Sequence, residues 1–117
     1  MLRHLNQDTI TQAVIARLAG TPDARLHEVM TSLVQHLHAF AREVKLTERE
    51  LSTGLGFLTA TGQACQGERQ EFALLSDMLG LSMLTVAMNG DRQIDSPVHT
   101  APADGPVADL MRATAPS

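Results

Sequence analysis

Apolar residues recur at steps of three and four between positions 26 and 44, and this spacing constrains the fold more than any other feature of the chain. An α-helix repeats every 3.6 residues, so such spacing gathers the apolar side chains into one stripe along a helix of about six turns. The charged residues of the segment, such as Arg25, Glu28 and Arg42, lie mostly off the stripe. The pattern predicts a long amphipathic helix with these apolar positions: Leu26, Val29, Met30, Leu33, Leu37, Phe40 and Val44.

Capping residues predict where the first two helices begin and end. Asp8 or Thr9 can cap a short first helix, which Gly20 would end. Thr21 followed by Pro22 predicts the start of the second, because proline at the first helical position loses no hydrogen bond.

A third helix is predicted from Thr47, whose hydroxyl can pair with the backbone at Glu50 while the Glu50 side chain returns the bond. Glycine lowers the stability of a helix interior by up to about 1 kcal/mol relative to alanine. The three glycines of this segment are therefore expected to admit a closely packed neighbouring helix: Gly54, Gly56 and Gly62.

The fourth helix is predicted from about Glu68 to Met88, with Asn89 and Gly90 as its end. Residues 91–117 contain four of the five prolines and no apolar period, which predicts an irregular tail with at most a short helical turn around residues 107–112. The predicted fold is all-α: a bundle of about four helices over residues 1–90 and a Pro-rich C-terminal tail over residues 91–117.

Composition excludes several classes of function. A chain of 117 residues has room for one ordinary domain, and a net charge of −4 argues against nucleic acid as a partner. The single Cys65 excludes an internal disulfide and a multi-cysteine zinc site. Neither a signal peptide nor an apolar run long enough to span a membrane is visible, so we expect a cytoplasmic protein.

Few polar residues are candidates for chemistry. His36 and His38 are two apart and point to different sides of a helix, whereas metal-binding pairs usually stand three or four apart. Cys65 has no adjacent activating motif and is expected to be a small core residue. Ser76 and Asp77 interrupt an apolar helix, and we favour a structural contact with a neighbouring helix for them. These residues predict neither a catalytic nor a metal site.

The fourth predicted helix is apolar on nearly all sides after Phe72, so part of its surface needs cover. Two interpretations remain open for its Leu- and Met-rich surface. It can complete the core and a dimer interface, or it can line a groove for a lipid or another small apolar molecule.

Four motifs follow one another in unbroken order before Asn89: LTERE, GFLTATGQ, RQEF and LLSDMLGLSML. Through these motifs, residues 23–89 resemble the N-terminal helical domain of intradiol ring-cleavage dioxygenases, in the branch of the hydroxyquinol and catechol 1,2-dioxygenases. The resemblance implies a helical domain that forms the homodimer interface and, between subunits, an apolar tunnel that holds phospholipid.

The resemblance also implies a separate β-sandwich that binds Fe(III) through two tyrosines and two histidines and opens catechol-type rings with O2. This chain contains no tyrosine, so no iron-ligand position carries over, and His36, His38 and His99 match none. We therefore expect no cofactor in this chain. Gly105-Pro106 is similar to the turn that enters the family's catalytic domain, although Val107 follows it here.

Two hypotheses follow. The first is a non-catalytic helical domain that forms a homodimer and binds a fatty acid or phospholipid. The second is an accessory subunit or fragment that works with a separate dioxygenase catalytic chain in the breakdown of aromatic compounds. The residues expected to line the dimer or ligand groove are apolar and lie on the second and fourth predicted helices: Leu33, Leu37, Phe40, Leu75, Met78, Leu79, Met83 and Val86.

Overall fold

A computed structural model describes residues 5–90 and 103–114, and these residues contain helices and no strand. The all-α prediction is confirmed, with more helices than the four expected. In chain order they are α1 Ile10–Leu18, α2 Ala24–Val44, α3 Glu48–Gln63, α4 Glu71–Met78, α5 Leu81–Met88 and α6 Pro106–Thr114. The chain divides into two units, residues 1–48 and residues 49–117.

In the first unit, α1 packs against α2; Thr9 occupies the N-cap position of α1, as predicted, whereas α2 is capped by a residue other than the predicted Thr21. The Asn6 side chain accepts the backbone N–H groups of Asp8 (2.8 Å) and Thr9 (3.2 Å), whereas Thr9 itself makes no side-chain cap bond to α1. Asp23 caps α2 by accepting the N–H of Leu26 at 3.0 Å. Its carboxylate reaches a free helical N–H, so α2 starts two residues later than Thr21-Pro22 suggested.

The single long helix predicted for residues 68–88 is wrong, because the chain turns at Gly80. Gly80 has a φ of +77°, in the left-handed region that glycine adopts without steric cost, and α4 and α5 meet there at a bend of 72°. Before α4, residues 66–69 form a tight reversal in which Gln66 and Arg69 exchange backbone hydrogen bonds of 3.2 and 2.7 Å. The segment is therefore two short helices behind a turn.

The C-terminal part of the chain contains more helix than the expected single turn. α6 spans Pro106–Thr114 and contacts α4, with Val107 and Ala108 fully or almost fully buried. The predicted irregular segments at residues 91–102 and 115–117 lie outside the described residues. The Pro-rich composition of this segment therefore did not indicate α6, which long-range contacts stabilise.

The glycine prediction for α3 is confirmed at one position and wrong at two. A Cβ added at Gly62 would lie 3.5 Å from the Phe72 ring, so the glycine lies beside a packed neighbour. At Gly54 and Gly56 no heavy atom of the described residues would lie within 4 Å of an added Cβ.

These glycines allow a matched test of the bend. We expect Gly80→Ala to lower the free energy of unfolding by about 1–2 kcal/mol, because alanine is strained at a positive φ. Gly56→Ala in the middle of α3 should raise it, by up to about 1 kcal/mol. Urea unfolding followed by circular dichroism measures both, and equal effects of the two substitutions would contradict the bend at Gly80.

Candidate interaction surfaces

The apolar stripe of α2 is exposed along its whole length. Each of its six side chains has between 43% and 55% of its surface accessible. At about 100° per residue, the six positions span roughly 80° of the helix circumference. We call this surface the α2 stripe: Leu26, Val29, Leu33, Leu37, Phe40 and Val44.

The α2 stripe has the spacing of a helix–helix contact. Its members follow one another at steps of 3, 4, 4, 3 and 4 residues, the spacing that keeps apolar side chains on one side of a helix of 3.6 residues per turn. The half-buried residues of α2, such as Val34, His38 and Ala41, lie on a different side, about 100° away. The stripe is therefore a second apolar side of α2, with the geometry that packs against another helix.

A second exposed apolar surface lies on α5 and the end of α4. Leu79 is 67% exposed, Val86 50% and Met83 38%, whereas Leu75 and Met78 are half-buried. Because a methionine side chain is flexible and polarisable, such a surface suits irregular apolar partners.

The structure divides the predicted groove residues between the two units. Leu33, Leu37 and Phe40 belong to the first unit on α2, while the five residues of α4, α5 and the turn between them belong to the second. Each set of residues is therefore described within its own unit, and the groove stays a prediction.

The polar pair in the apolar segment has a structural contact of the predicted kind. The hydroxyl groups of Ser76 in α4 and Ser82 in α5 are 2.7 Å apart. This hydrogen bond joins the two helices across the bend at Gly80.

Two of the described histidines, His36 and His38, and the cysteine make local or interhelical hydrogen bonds. The His36 Nδ1 atom lies 2.8 Å from the Ser32 carbonyl oxygen, and the Cys65 thiol donates to the Thr61 carbonyl at 3.5 Å. His38 Nδ1 is 2.6 Å from the Thr11 hydroxyl. His4 and His99 lie outside the described residues.

The donor set does not fit the iron site that the resemblance implies. The sequence supplies no tyrosine, and among residues 5–90 and 103–114 no three His, Cys, Asp or Glu side chains come together as metal ligands would.

A polar cluster that the sequence did not predict ties α1 to α2. The Arg42 guanidinium donates to the Gln7 carbonyl at 2.7 Å and to the Thr11 hydroxyl at 2.8 Å. The same Thr11 hydroxyl also makes the hydrogen bond to Nδ1 of His38, so one side chain of α1 contacts two residues of α2. The partners are 27 to 35 residues apart, so no local pattern indicates them.

This cluster borders an open hollow of about 320 Å³ lined by Gln7, Ile10, His38, Ala41 and Arg42. The hollow is open to solvent, and its polar atoms already bond one another. The hollow is therefore part of the contact between α1 and α2, and we do not assign it as a ligand site.

Removal of the Arg42 contacts should weaken the first unit. We expect Arg42→Met to lower the free energy of unfolding by about 1 kcal/mol, since two interhelical hydrogen bonds of a charged group at a partly exposed site are lost. Arg25→Met is the matched control: it breaks only an exposed ion pair with Glu28 and should change stability by less than about 0.5 kcal/mol. Urea unfolding of the two variants tests this. An equal loss of stability in both variants would show that the Arg42 contacts contribute no more than an exposed ion pair.

No single helix of the described residues is long and apolar enough to cross a membrane; α4 and α5 reach the required length and composition only together, and they are bent by 72°.

Comparison with known proteins identifies the class of domain. The family model for the catechol dioxygenase N terminus matches residues 23–95. The chain therefore belongs to this family, which confirms the resemblance of residues 23–89.

Two individual relatives are dioxygenases of the hydroxyquinol type. The chain is 63% identical over 91 residues to the 6-chlorohydroxyquinol 1,2-dioxygenase of Cupriavidus pinatubonensis, a match covering 78% of this chain and 33% of the relative. It is 49% identical over 90 residues to the hydroxyquinol 1,2-dioxygenase of Nocardioides simplex, with 77% and 31% covered.

A solved structure has the same fold. The hydroxyquinol 1,2-dioxygenase from Pseudomonas putida DLL-E4 superposes with a TM-score of 0.70 at 50% identity, covering 74% of this chain and 30% of that one. The chain thus spans about a third of the length of the relatives it matches.

Proposed function

We propose that this chain is a helical dimerisation domain of the hydroxyquinol dioxygenase type, which pairs with a second copy through the α2 stripe and performs no ring cleavage by itself. The observation that carries the proposal is the exposure of six apolar side chains at steps of three and four residues along α2.

A second copy suits the α2 stripe for a geometric reason. The six positions of the stripe extend over 18 residues, or about 27 Å of helix at 1.5 Å per residue. A two-fold axis brings the same stripe from each copy together, so each apolar side chain meets apolar side chains of its partner. Burial of such a seam is favourable by about 25 cal/mol per Å² before association costs.

The proposal includes an apolar ligand at the second surface. Leu79, Met83 and Val86 are exposed on a short segment without charged side chains between Asp77 and Asn89. A fatty acid or the acyl chain of a phospholipid would cover this surface and gain about 0.8 kcal/mol per buried methylene group.

An accessory role is the alternative, and the coverage of the relatives favours it. The chain corresponds to about a third of dioxygenases with which it shares up to 63% identity. In this alternative, the helical domain acts with a separate catalytic chain that carries Fe(III), and ring cleavage requires both chains. Mixing the protein with such a chain and measuring ring cleavage of hydroxyquinol distinguishes the two candidates.

Native mass spectrometry of the purified protein, with a metal measurement on the same sample, tests the proposal. We expect a complex of twice the 12.6 kDa chain, free of iron, with additional mass that organic solvent releases. A monomer at concentrations of about 100 μM would contradict dimerisation, because a seam of this kind should associate more tightly than that. A dimer without additional mass would contradict only the apolar ligand.

A further inference from the structure

Glu71 is the one charged side chain that is fully buried among the described residues, and both of its carboxylate oxygens are occupied. Arg69 donates from Nε to Oε2 at 3.2 Å. The backbone N–H of Val107, in the first turn of α6, donates to Oε1 at 3.2 Å. The carboxylate thus joins the turn before α4 to the start of a helix 36 residues further along the chain.

Arg69 also contacts Asp104, which lies two residues before the start of α6. Its Nη2 atom donates to the Asp104 carbonyl oxygen at 2.8 Å and lies 3.5 Å from the Asp104 carboxylate. Arg69 is one-third exposed, whereas its partner Glu71 is not accessible at all. We call Arg69 and Glu71 together the clamp.

Beside the clamp, the position between Asp104 and α6 requires glycine. Gly105 has a φ of +109°, and a Cβ added there would lie 2.8 Å from Oε1 of Glu71 and closer still to Nη2 of Arg69. Pro106 follows at the first helical position, where its lack of an N–H leaves no donor unpaired. Asp109 then donates its N–H to the Gly105 carbonyl at 3.0 Å and closes the first turn.

The two residues after the proline complete the contact. Val107 is 1% exposed and Ala108 5%, and both belong to the apolar core of the second unit together with Leu74 of α4. The bound sequence is therefore glycine, proline and two small apolar residues, recognised by a charged clamp and an apolar contact.

The contacts of α6 with α4 are of the kind that stabilises so short a helix. An isolated helix of nine residues is marginal in water, because helix nucleation costs more than so few hydrogen bonds return. Fifteen residues, 91–105, separate α6 from Gly90, so its contacts with α4 are long-range.

We propose that the clamp is a docking site for a chain segment that begins a helix with Gly-Pro, and that residues 103–114 occupy it as a separable segment. The same site then binds this segment when it is supplied in trans, by a peptide or by a second copy of the chain. In the intact protein, the segment is covalently attached and binds as an intramolecular ligand, so it competes strongly with a free peptide.

A peptide with the sequence of residues 103–114, labelled with fluorescein at its C-terminus, tests the proposal by fluorescence anisotropy. The receptor is the full chain carrying Gly105→Val, in which the chain's own segment is blocked and the clamp is intact. We expect saturable binding to this variant. Binding to the unmodified chain and to the Gly105→Val/Glu71→Gln double variant should be at least tenfold weaker. A peptide that itself carries Gly105→Val should not bind.

Equal binding to all three proteins, or no binding to a Gly105→Val chain that retains its helical circular dichroism, would overturn the proposal. Gly67→Ala is the matched control, since Gly67 also has a positive φ but has no neighbour within 4 Å of an added Cβ. That variant should exclude the peptide as the unmodified chain does, because its own segment still occupies the clamp.

Native-state hydrogen exchange on the unmodified chain provides a test that no substitution can disturb. The amides of Val107 and Asp109 should exchange through one shared opening, at least tenfold faster than those of Leu74 and Leu79, which bond within α4. Exchange of all four amides at one common rate would show that α6 leaves the clamp only on global unfolding, which contradicts a separable segment.

Discussion

Leu37→Glu should convert the proposed dimer into a monomer. Leu37 is near the middle of the α2 stripe and is 55% exposed, so glutamate at this position is tolerated in the isolated chain. In a symmetric dimer the substitution places two carboxylates in an apolar seam, where ionised groups lose their hydration. We expect the dissociation constant to rise at least about 100-fold, equivalent to about 2.7 kcal/mol.

Sedimentation equilibrium over a range of concentrations measures this shift. Gln35→Glu is the matched control, because Gln35 is exposed on α2 about 180° from the α2 stripe and takes the same charge. The control should dimerise as the unmodified chain does. An equal effect of both substitutions would mean that net charge, and not the seam, governs association.

Glu71→Ala should cause the largest loss of stability of any substitution of a charged residue in the second unit. The substitution leaves the Val107 N–H without its acceptor and Arg69 without its buried partner. Breaking a buried ion pair costs about 3–5 kcal/mol, and the partial exposure of Arg69 reduces this to about 2–3 kcal/mol. Urea unfolding, followed by circular dichroism, measures the loss.

Glu28→Ala is the control for this substitution. Glu28 also pairs with an arginine, at 2.9 Å, but both side chains are at least 70% exposed. The Glu28→Ala substitution should change the free energy of unfolding by less than about 0.5 kcal/mol. A small effect at Glu71, of the size expected at Glu28, would contradict the anchoring role of the clamp.

The sequence predicted the helices best where the signal was periodic and repeated many times. The apolar steps of three and four from Leu26 to Val44 predicted the longest helix and the stripe along it, because each added apolar position constrains the same side. Caps were less predictable, since Thr21-Pro22 and Asp23 are adjacent helix-start signals and only the geometry of the Asp23 side chain decides between them.

Features that depend on distant residues were missed. The bend at Gly80 lies in a run of leucine and methionine that is equally apolar on both sides, so composition does not mark it. α6 lies in a Pro-rich segment and depends on Glu71, 36 residues earlier, and the Arg42 cluster joins residues 31 and 35 positions apart. Local propensity contains no information on such contacts.

Isotope-filtered NMR on a dimer assembled from one 13C-labelled and one unlabelled copy would show directly which side chains meet between copies. At twice 12.6 kDa, the complex is small enough for methyl and aromatic contacts to be assigned. We predict nuclear Overhauser effects between copies that connect Leu33, Leu37 and Phe40 with other members of the α2 stripe. Intermolecular effects confined to α5, or none at a concentration where the protein is dimeric, would contradict pairing through α2.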